Sequence, residues 1–215
     1  MRFPWTLGLV SAFSYFAALG MDWPLVRAVS KPIPVLCMAA AAVMANKSPY
    51  GRLIFAGLVL SAFGDLLLEV NRFEEGLAAF LFGHVLYVGA YVTDTRALKP
   101  LRAVPAYAFG AVALAFLGGH LGDMLVPVVV YTAIICTMLW RAGARLEPGA
   151  DLQRDRWYAL LGAVSFALSD TLVAMHQFAS PPEAIQWAIM ILYWGGQLGI
   201  AASAVIHPVK RVSPG

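Results

Sequence analysis

Charge is scarce in this chain. Only 13% of its residues are Asp, Glu, Lys or Arg, against about 25% in a typical soluble domain. The deficit runs along the whole length. That excludes a substantial water-soluble domain and points to lipid as the main solvent. Cysteine is nearly absent as well. Cys37 and Cys136 both fall within apolar runs, and neither a CxxC pair nor a Cys/His cluster occurs. A zinc ribbon or a redox pair is therefore not expected, and both thiols read as small buried hydrophobes. An HExxH helix and a GxSxG turn are also missing, which argues against a zinc protease and a serine lipase. No stretch interleaves basic and aromatic side chains as nucleic-acid binding requires, so nucleic acid is not expected as a partner.

Apolar length is what the chain has in abundance. Hydrophobic residues make up 60% of the 215, and the mean hydropathy is +0.74. A spanning helix needs about 20 mostly apolar residues. On that criterion about eight spans are expected, near 5–20, 32–46, 52–70, 76–93, 103–119, 124–140, 157–176 and 184–206. The expected fold class is an all-α membrane protein, one polytopic domain over residues 1–215. Span two is short and opens on Pro32 and Pro34, which the first turn of a helix tolerates; a re-entrant segment there is the alternative. The first span, behind Arg2, resembles a signal peptide. It reads as a retained helix because only more spans follow.

Lys and Arg are distributed unevenly between the two ends of such a bundle. One end collects Arg2, Lys47, Arg52, Arg96, Lys99, Arg102, Arg141, Arg145, Arg154, Arg156, Lys210 and Arg211; the other has only Arg27, Lys31 and Arg72. The positive-inside rule then puts both termini in the cytoplasm. For a compact chain with short loops, the bacterial inner (plasma) membrane is the expected location. Trp5, Trp23, Trp140, Trp157 and Trp187 fall near span ends and read as interfacial anchors. His120, His176 and His207 lie near span ends too, where they are expected to meet water.

The chain shows an internal likeness. Ser61-Ala62-Phe63-Gly64-Asp65-Leu66-Leu67 parallels the run Ser165 to Leu172, which carries Ser169-Asp170, and Phe73 and Phe178 stand at matching places after each Asp. Two related halves, 1–102 and 103–207, are the expectation. With about four extra residues allowed in the second loop, His84 falls opposite Tyr193. Repeats of this kind often place a site where the halves meet.

An ionisable side chain at membrane depth costs about 2.5–3.5 kcal/mol on insertion scales, so it usually faces a protein interior or a wet cavity. Asp65 and Asp170 sit at similar depths in their spans, and His84 and Tyr193 descend to the same layer at about 1.5 Å per residue. Gln197 is one turn from Tyr193, and Glu69 one turn from Asp65. Lys31 stands at the mouth. Each residue also has an ordinary structural explanation: a carboxylate, amide or phenol can hold helices together, and an imidazole can sit satisfied in a core. Two carboxylates at matched depth make pure packing the weaker explanation. Paired carboxylates divide labour, one protonated as a general acid while the other orients or deprotonates water. That suits hydrolysis of an acid-labile bond. The ligand set is too sparse to predict a metal at Asp65, Asp170 and His84, and no cofactor is expected.

At these positions the sequence resembles the YhhN family of membrane proteins, which includes lysoplasmalogenases. The matching pieces are Ser30-Lys31-Pro32, Ser61 to Asp65, Gly76 to Phe80 leading into Gly83-His84-Val85-Leu86-Tyr87, Ser165 to Ala174, and Tyr193-Trp194-Gly195-Gly196-Gln197. The family pattern usually has alanine before the glutamine, where this chain has Gly196. The resemblance implies an eight-span helical fold and hydrolysis of the vinyl ether of a lysoplasmalogen. Taken with the buried polar residues, that activity makes Asp65, Asp170 and His84 the expected catalytic residues and Lys31, Tyr193, Gln197 and Glu69 the expected substrate-binding ones, the substrate being a lysophospholipid drawn from the membrane lipids. A proton-coupled transporter or a metal-dependent lipid amidase would share much of this layout. Oligomeric state is not legible.

Overall fold

In a computed structural model, residues 3–208 are described apart from 148, 150–152, 180, 181 and 183. Arg2, Lys210 and Arg211 of the charge pattern lie outside the described residues. Nine α-helices follow one another, with no strand among the described residues: α1 Phe3–Gly20, α2 Pro24–Ser30, α3 Pro32–Ala45, α4 Pro49–Glu69, α5 Phe73–Asp94, α6 Ala103–Leu117, α7 Leu125–Ala144, α8 Arg154–Phe178 and α9 Ile185–Ile206. Seven segments are long and apolar enough to cross a membrane, and α1 is a shorter apolar helix beside them. The chain is a multi-pass membrane protein of about eight helices.

The second span differs from its expected form. It is 22 residues long, Pro24–Ala45, because α2 runs into α3. Lys31 keeps helical dihedrals (φ −59°, ψ −47°) and its N–H still reaches the Arg27 carbonyl at 3.0 Å. The interruption comes from Pro32 and Pro34, which bring no N–H to the ladder. Pro34 would otherwise have bonded the Ser30 carbonyl. That acceptor is taken instead by the Ser11 hydroxyl of α1 at 2.9 Å, so the break leaves no orphan there. A hydropathy window placed over Pro32 reads only the second half of this span.

Two helix hairpins form the centre: α4 packs against α5, and α8 against α9. Both rely on glycine for close approach. A Cβ on Gly57 would lie 2.3 Å from the Tyr87 ring, and one on Gly162 would lie 2.7 Å from the Gly196 carbonyl oxygen. Backbones this close suit small-residue packing in lipid, where no hydrophobic force drives helices together. Gly83 meets Gly57 in the first hairpin as Gly196 meets Gly162 in the second. On these contacts the second hairpin carries eight extra residues instead of four, which sets His84 opposite Gln197, one turn away from the expected Tyr193.

The remaining helices surround this pair. α3 lies against α4 and α9, and α7 against α5 and α8. α6 packs mainly on α7 and only lightly on α8, and it is the least buried span. The chain alternates direction, so Glu69, Phe73, Leu117 and Phe178 gather at one end, here the site end. Asp94, Arg145 and Asp155 gather at the other, the basic end. Phe73 and Phe178 meet at the site end, edge to face at 5.9 Å between centroids.

The basic end is tied by one buried cation. The Arg145 guanidinium donates to Asp94 Oδ2 at 2.8 Å, to Asp155 Oδ2 at 2.9 Å and to the Tyr50 hydroxyl at 2.9 Å. Tyr50 in turn contacts Ser203 at 2.7 Å, and His207 Nδ1 lies 2.9 Å from Asp155 Oδ2 while its ring stacks on Tyr50. His207 therefore belongs to an ion network and is mostly shielded from water, contrary to the expectation from its place near a span end. Outside the spans, a hydrogen bond from Lys99 holds the Glu147 carboxyl below the usual glutamate range.

Candidate active site

Asp65 comes from α4 and Asp170 from α8, each in the outer part of its helix toward the site end. Both open into one chamber between α4, α5, α6, α7, α8 and α9. Its empty space, open mouth included, is about 920 Å³, and its walls are mostly apolar: Phe73, Leu77, Phe80, Ile135 and Met190 among them. Lys31 and Tyr193 also line it. The structure thus brings four of the seven expected site residues to one surface.

Each carboxylate is held by a phenol from another helix. The Tyr193 hydroxyl of α9 donates to Asp65 Oδ2 at 2.6 Å, and the Tyr131 hydroxyl of α7 donates to Asp170 Oδ2 at 2.7 Å. The Asp65 residue is 1% exposed, whereas the Asp170 side chain retains 13%. His84 of α5 is fully buried behind the wall, with Nε2 3.7 Å from Asp170 Oδ2. Among the described residues neither ring nitrogen meets strict hydrogen-bond geometry, although the Phe80 backbone one turn earlier in α5 lies close enough to interact with the ring. The ring is wedged edge to face against Phe166 at 4.6 Å and Tyr131 at 5.4 Å.

Glu69 and Gln197 stand apart from the chamber walls. Glu69 sits at the mouth, where it receives Lys31 Nζ at 3.0 Å, Arg27 Nε at 3.2 Å and the Tyr15 hydroxyl at 3.4 Å. Arg27 also lies 3.6 Å from Asp22 Oδ1, so two cations and two carboxylates form one ion network at the mouth. Gln197 is buried one turn deeper and accepts from the Tyr87 hydroxyl at 2.8 Å. Its side chain also lies close to the Tyr193 hydroxyl.

Tyr131, Arg27 and Tyr15 are site residues that sequence reasoning did not single out. Tyr131 had a usable signal: a phenol in the middle of a Val-rich span, away from the interfaces where tyrosines settle, needs a buried partner. Arg27 and Tyr15 gave none, because each sits where an ordinary loop or interface residue would.

The donor set also bears on the metal alternative. Among the described residues, the one trio of carboxylate and imidazole groups whose ligand atoms all lie within 4.8 Å of each other is Asp94, Asp155 and His207. It is at the basic end, and Arg145 already bonds both of its carboxylates.

This arrangement defines a class: a polytopic helical membrane protein with a two-carboxylate chamber toward one end of the helix bundle and an ion network at its mouth. Within that class, the chain belongs to the YhhN family, whose pattern matches residues 26–204. It is 35% identical over 187 residues to lysoplasmalogenase TMEM86B of Homo sapiens, covering 86% of this chain and 77% of that protein. It is 33% identical over 190 residues to lysoplasmalogenase TMEM86A of Bos taurus, covering 84% and 78%. A lysoplasmalogenase of Mycobacterium bovis is 33% identical over 180 residues, covering 77% and 65%. No solved structure matches significantly.

Proposed function

We propose that the chain is a membrane-embedded hydrolase that cleaves the vinyl ether bond of lysoplasmalogens, releasing a fatty aldehyde and a glycerophospho-base. The observation that carries this reading is the convergence of Asp65 and Asp170 in one apolar chamber, each steadied by a phenol, below a mouth that presents Lys31 and Arg27. The lysoplasmalogenase relatives supply the substrate class.

Hydrolysis begins when a protonated carboxyl delivers its proton to the vinyl β-carbon. The double bond supplies the electron pair, and the ether oxygen shares the resulting positive charge. The second, ionised carboxylate stabilises that oxocarbenium-like cation in a poorly hydrated site, where such stabilisation is strong. Water then adds to the cationic carbon and gives up a proton to the carboxylate base. The hemiacetal collapses with cleavage of its bond to the glycerol oxygen, which leaves as an alcohol. Asp65 and Asp170 fill the acid and base roles. Tyr131 and Tyr193 hold the carboxylate oxygens in place, and His84 positions Asp170 or its water. Lys31 and Arg27, with Glu69 orienting them, meet the lipid phosphate at the mouth. Gln197 supports the chamber through Tyr87.

The test is aldehyde release by the purified protein from lysoplasmenylethanolamine in mixed micelles. Stoichiometric aldehyde and glycerophosphoethanolamine are expected. Uptake of intact lipid or of protons into sealed vesicles, without aldehyde, would point to a transporter and end the hydrolase reading.

A further inference from the structure

A second apolar space adjoins the chamber. It lies between α6, α7 and α8 on the basic-end side of Asp170 and is lined by Pro105, Ala106, Phe109, Leu139, Val164 and Ala167. Its empty volume is about 1150 Å³ with the open side included. Phe109 and Ala167 line both this groove and the chamber, so these two side chains form the wall between the two spaces. The far end is closed where the Arg102 guanidinium bonds the carbonyls of Gly143 and Leu146. From Asp170 to Leu160, another groove residue, α8 descends about 15 Å at ~1.5 Å per residue.

We propose that this groove seats the alkenyl chain of the substrate, with Phe109 at the junction between chain and reacting bond. The proposal rests on the hydrolase reading and adds a binding subsite to it. The direction follows from the placement of charge. A lysolipid with its phosphate at Lys31 and Arg27 and its vinyl ether at the two carboxylates must point its chain away from the site end. The α6–α8 groove runs from the shared wall in that direction. A shallower groove lined by Val112, Phe116 and Met175 lies back toward the site end, level with the headgroup. The light packing of α6 on α8 leaves the groove open along its length to the bilayer, so a single chain slides in sideways without its headgroup crossing the apolar layer. Arg102 and its two carbonyls set a floor, and with it an upper limit on chain length.

The experiment uses the full-length protein and an ether lysophosphatidylethanolamine with a diazirine at the end of a sixteen-carbon chain. Photolabelling mapped by mass spectrometry is expected on 101–106 and 160–168, and excess unlabelled long-chain lysolipid should compete it away. In parallel, Val164→Trp and Leu168→Trp, both at partly exposed groove positions, should lower the hexadecenyl-to-octenyl ratio of kcat/KM at least tenfold. Val104→Trp, on the lipid face of α6 and outside the groove, should leave that ratio as in the parent. Competed groove labelling without aldehyde release would keep the chain site and discard the hydrolase. Aldehyde release with labelling on Val112 and Phe116 or on other faces, or with labelling that does not compete, would overturn the chain site and keep the hydrolase. Unchanged chain-length ratios in both groove variants would overturn it as well.

Discussion

At the scale of single residues, the site depends on phenols more than on the carboxylates alone. Asp65 is buried, and the one hydrogen-bond donor placed on it is the Tyr193 hydroxyl at 2.6 Å. The phenol fixes which oxygen faces the chamber and shares its charge when ionised. Tyr193→Phe removes that donor and keeps the ring, whose edge-to-face contacts with Phe80 and Phe166 hold α9 against α5 and α8. We predict a roughly tenfold or greater drop in kcat, at the low end of what proton-transfer assistance supplies. Little change in thermal stability is expected, because the packing survives. Aldehyde release and a melting curve on the same preparation check this. A melt that collapses together with activity would assign Tyr193 to structure alone.

At the scale of elements, α4, α5, α7, α8 and α9 are joined at the basic end through Arg145. Its guanidinium is fully buried, bonds Asp94 and Asp155, and lies 4.8 Å from the Tyr50 centroid and 5.3 Å from that of Tyr91. Removing one partner from a buried ion network leaves the others uncompensated, at a cost of about 3–5 kcal/mol. Arg145→Met is predicted to destabilise the folded protein by that order. Arg145→Lys should restore little, since an ammonium cannot match the fork that meets two carboxylates and a phenol together. Thermal unfolding in detergent measures both. A lysine variant as stable as the parent would show that charge suffices and geometry does not matter. Because this network is far from the chamber, surviving molecules should keep their turnover per folded protein.

Hydropathy and charge made the whole-molecule layout legible, and they did so for physical reasons. Spans must be apolar and long, so about eight appeared, and buried carboxylates at matched depth had to face inward, so Asp65 and Asp170 could be paired in advance. Partnerships were not legible. Which phenol reaches which partner depends on helix rotation and crossing, so neither the Tyr131–Asp170 pair nor the Tyr87–Gln197 pair is legible along the chain. Arg145 reads as a loop charge, since nothing in a linear sequence shows Asp94 and Asp155 closing on it. Span two reads short because Pro32 imitates a helix start, whereas the structure absorbs it in mid-span. The Lys/Arg asymmetry leads us to propose that the basic end faces the cytoplasm of a bacterial inner membrane. In that orientation Asp22→Cys, at a fully exposed position of the site end, should react with an impermeant maleimide on intact spheroplasts. Arg96→Cys at the basic end should react only after permeabilisation. The reverse pattern would invert the topology.

The central claim is that Asp65 and Asp170 act together as acid and base on an enol ether. The most direct measurement is single-turnover aldehyde release in D₂O by the parent protein and by Asp65→Asn and Asp170→Asn, each shown to be folded. The parent should yield aldehyde carrying one deuterium on the carbon next to the carbonyl, the mark of proton delivery to the vinyl β-carbon. Each variant should be slower by about a hundredfold or more, the usual scale of lost acid–base assistance. Undiminished turnover in both variants, or aldehyde free of deuterium at that carbon, would contradict the account.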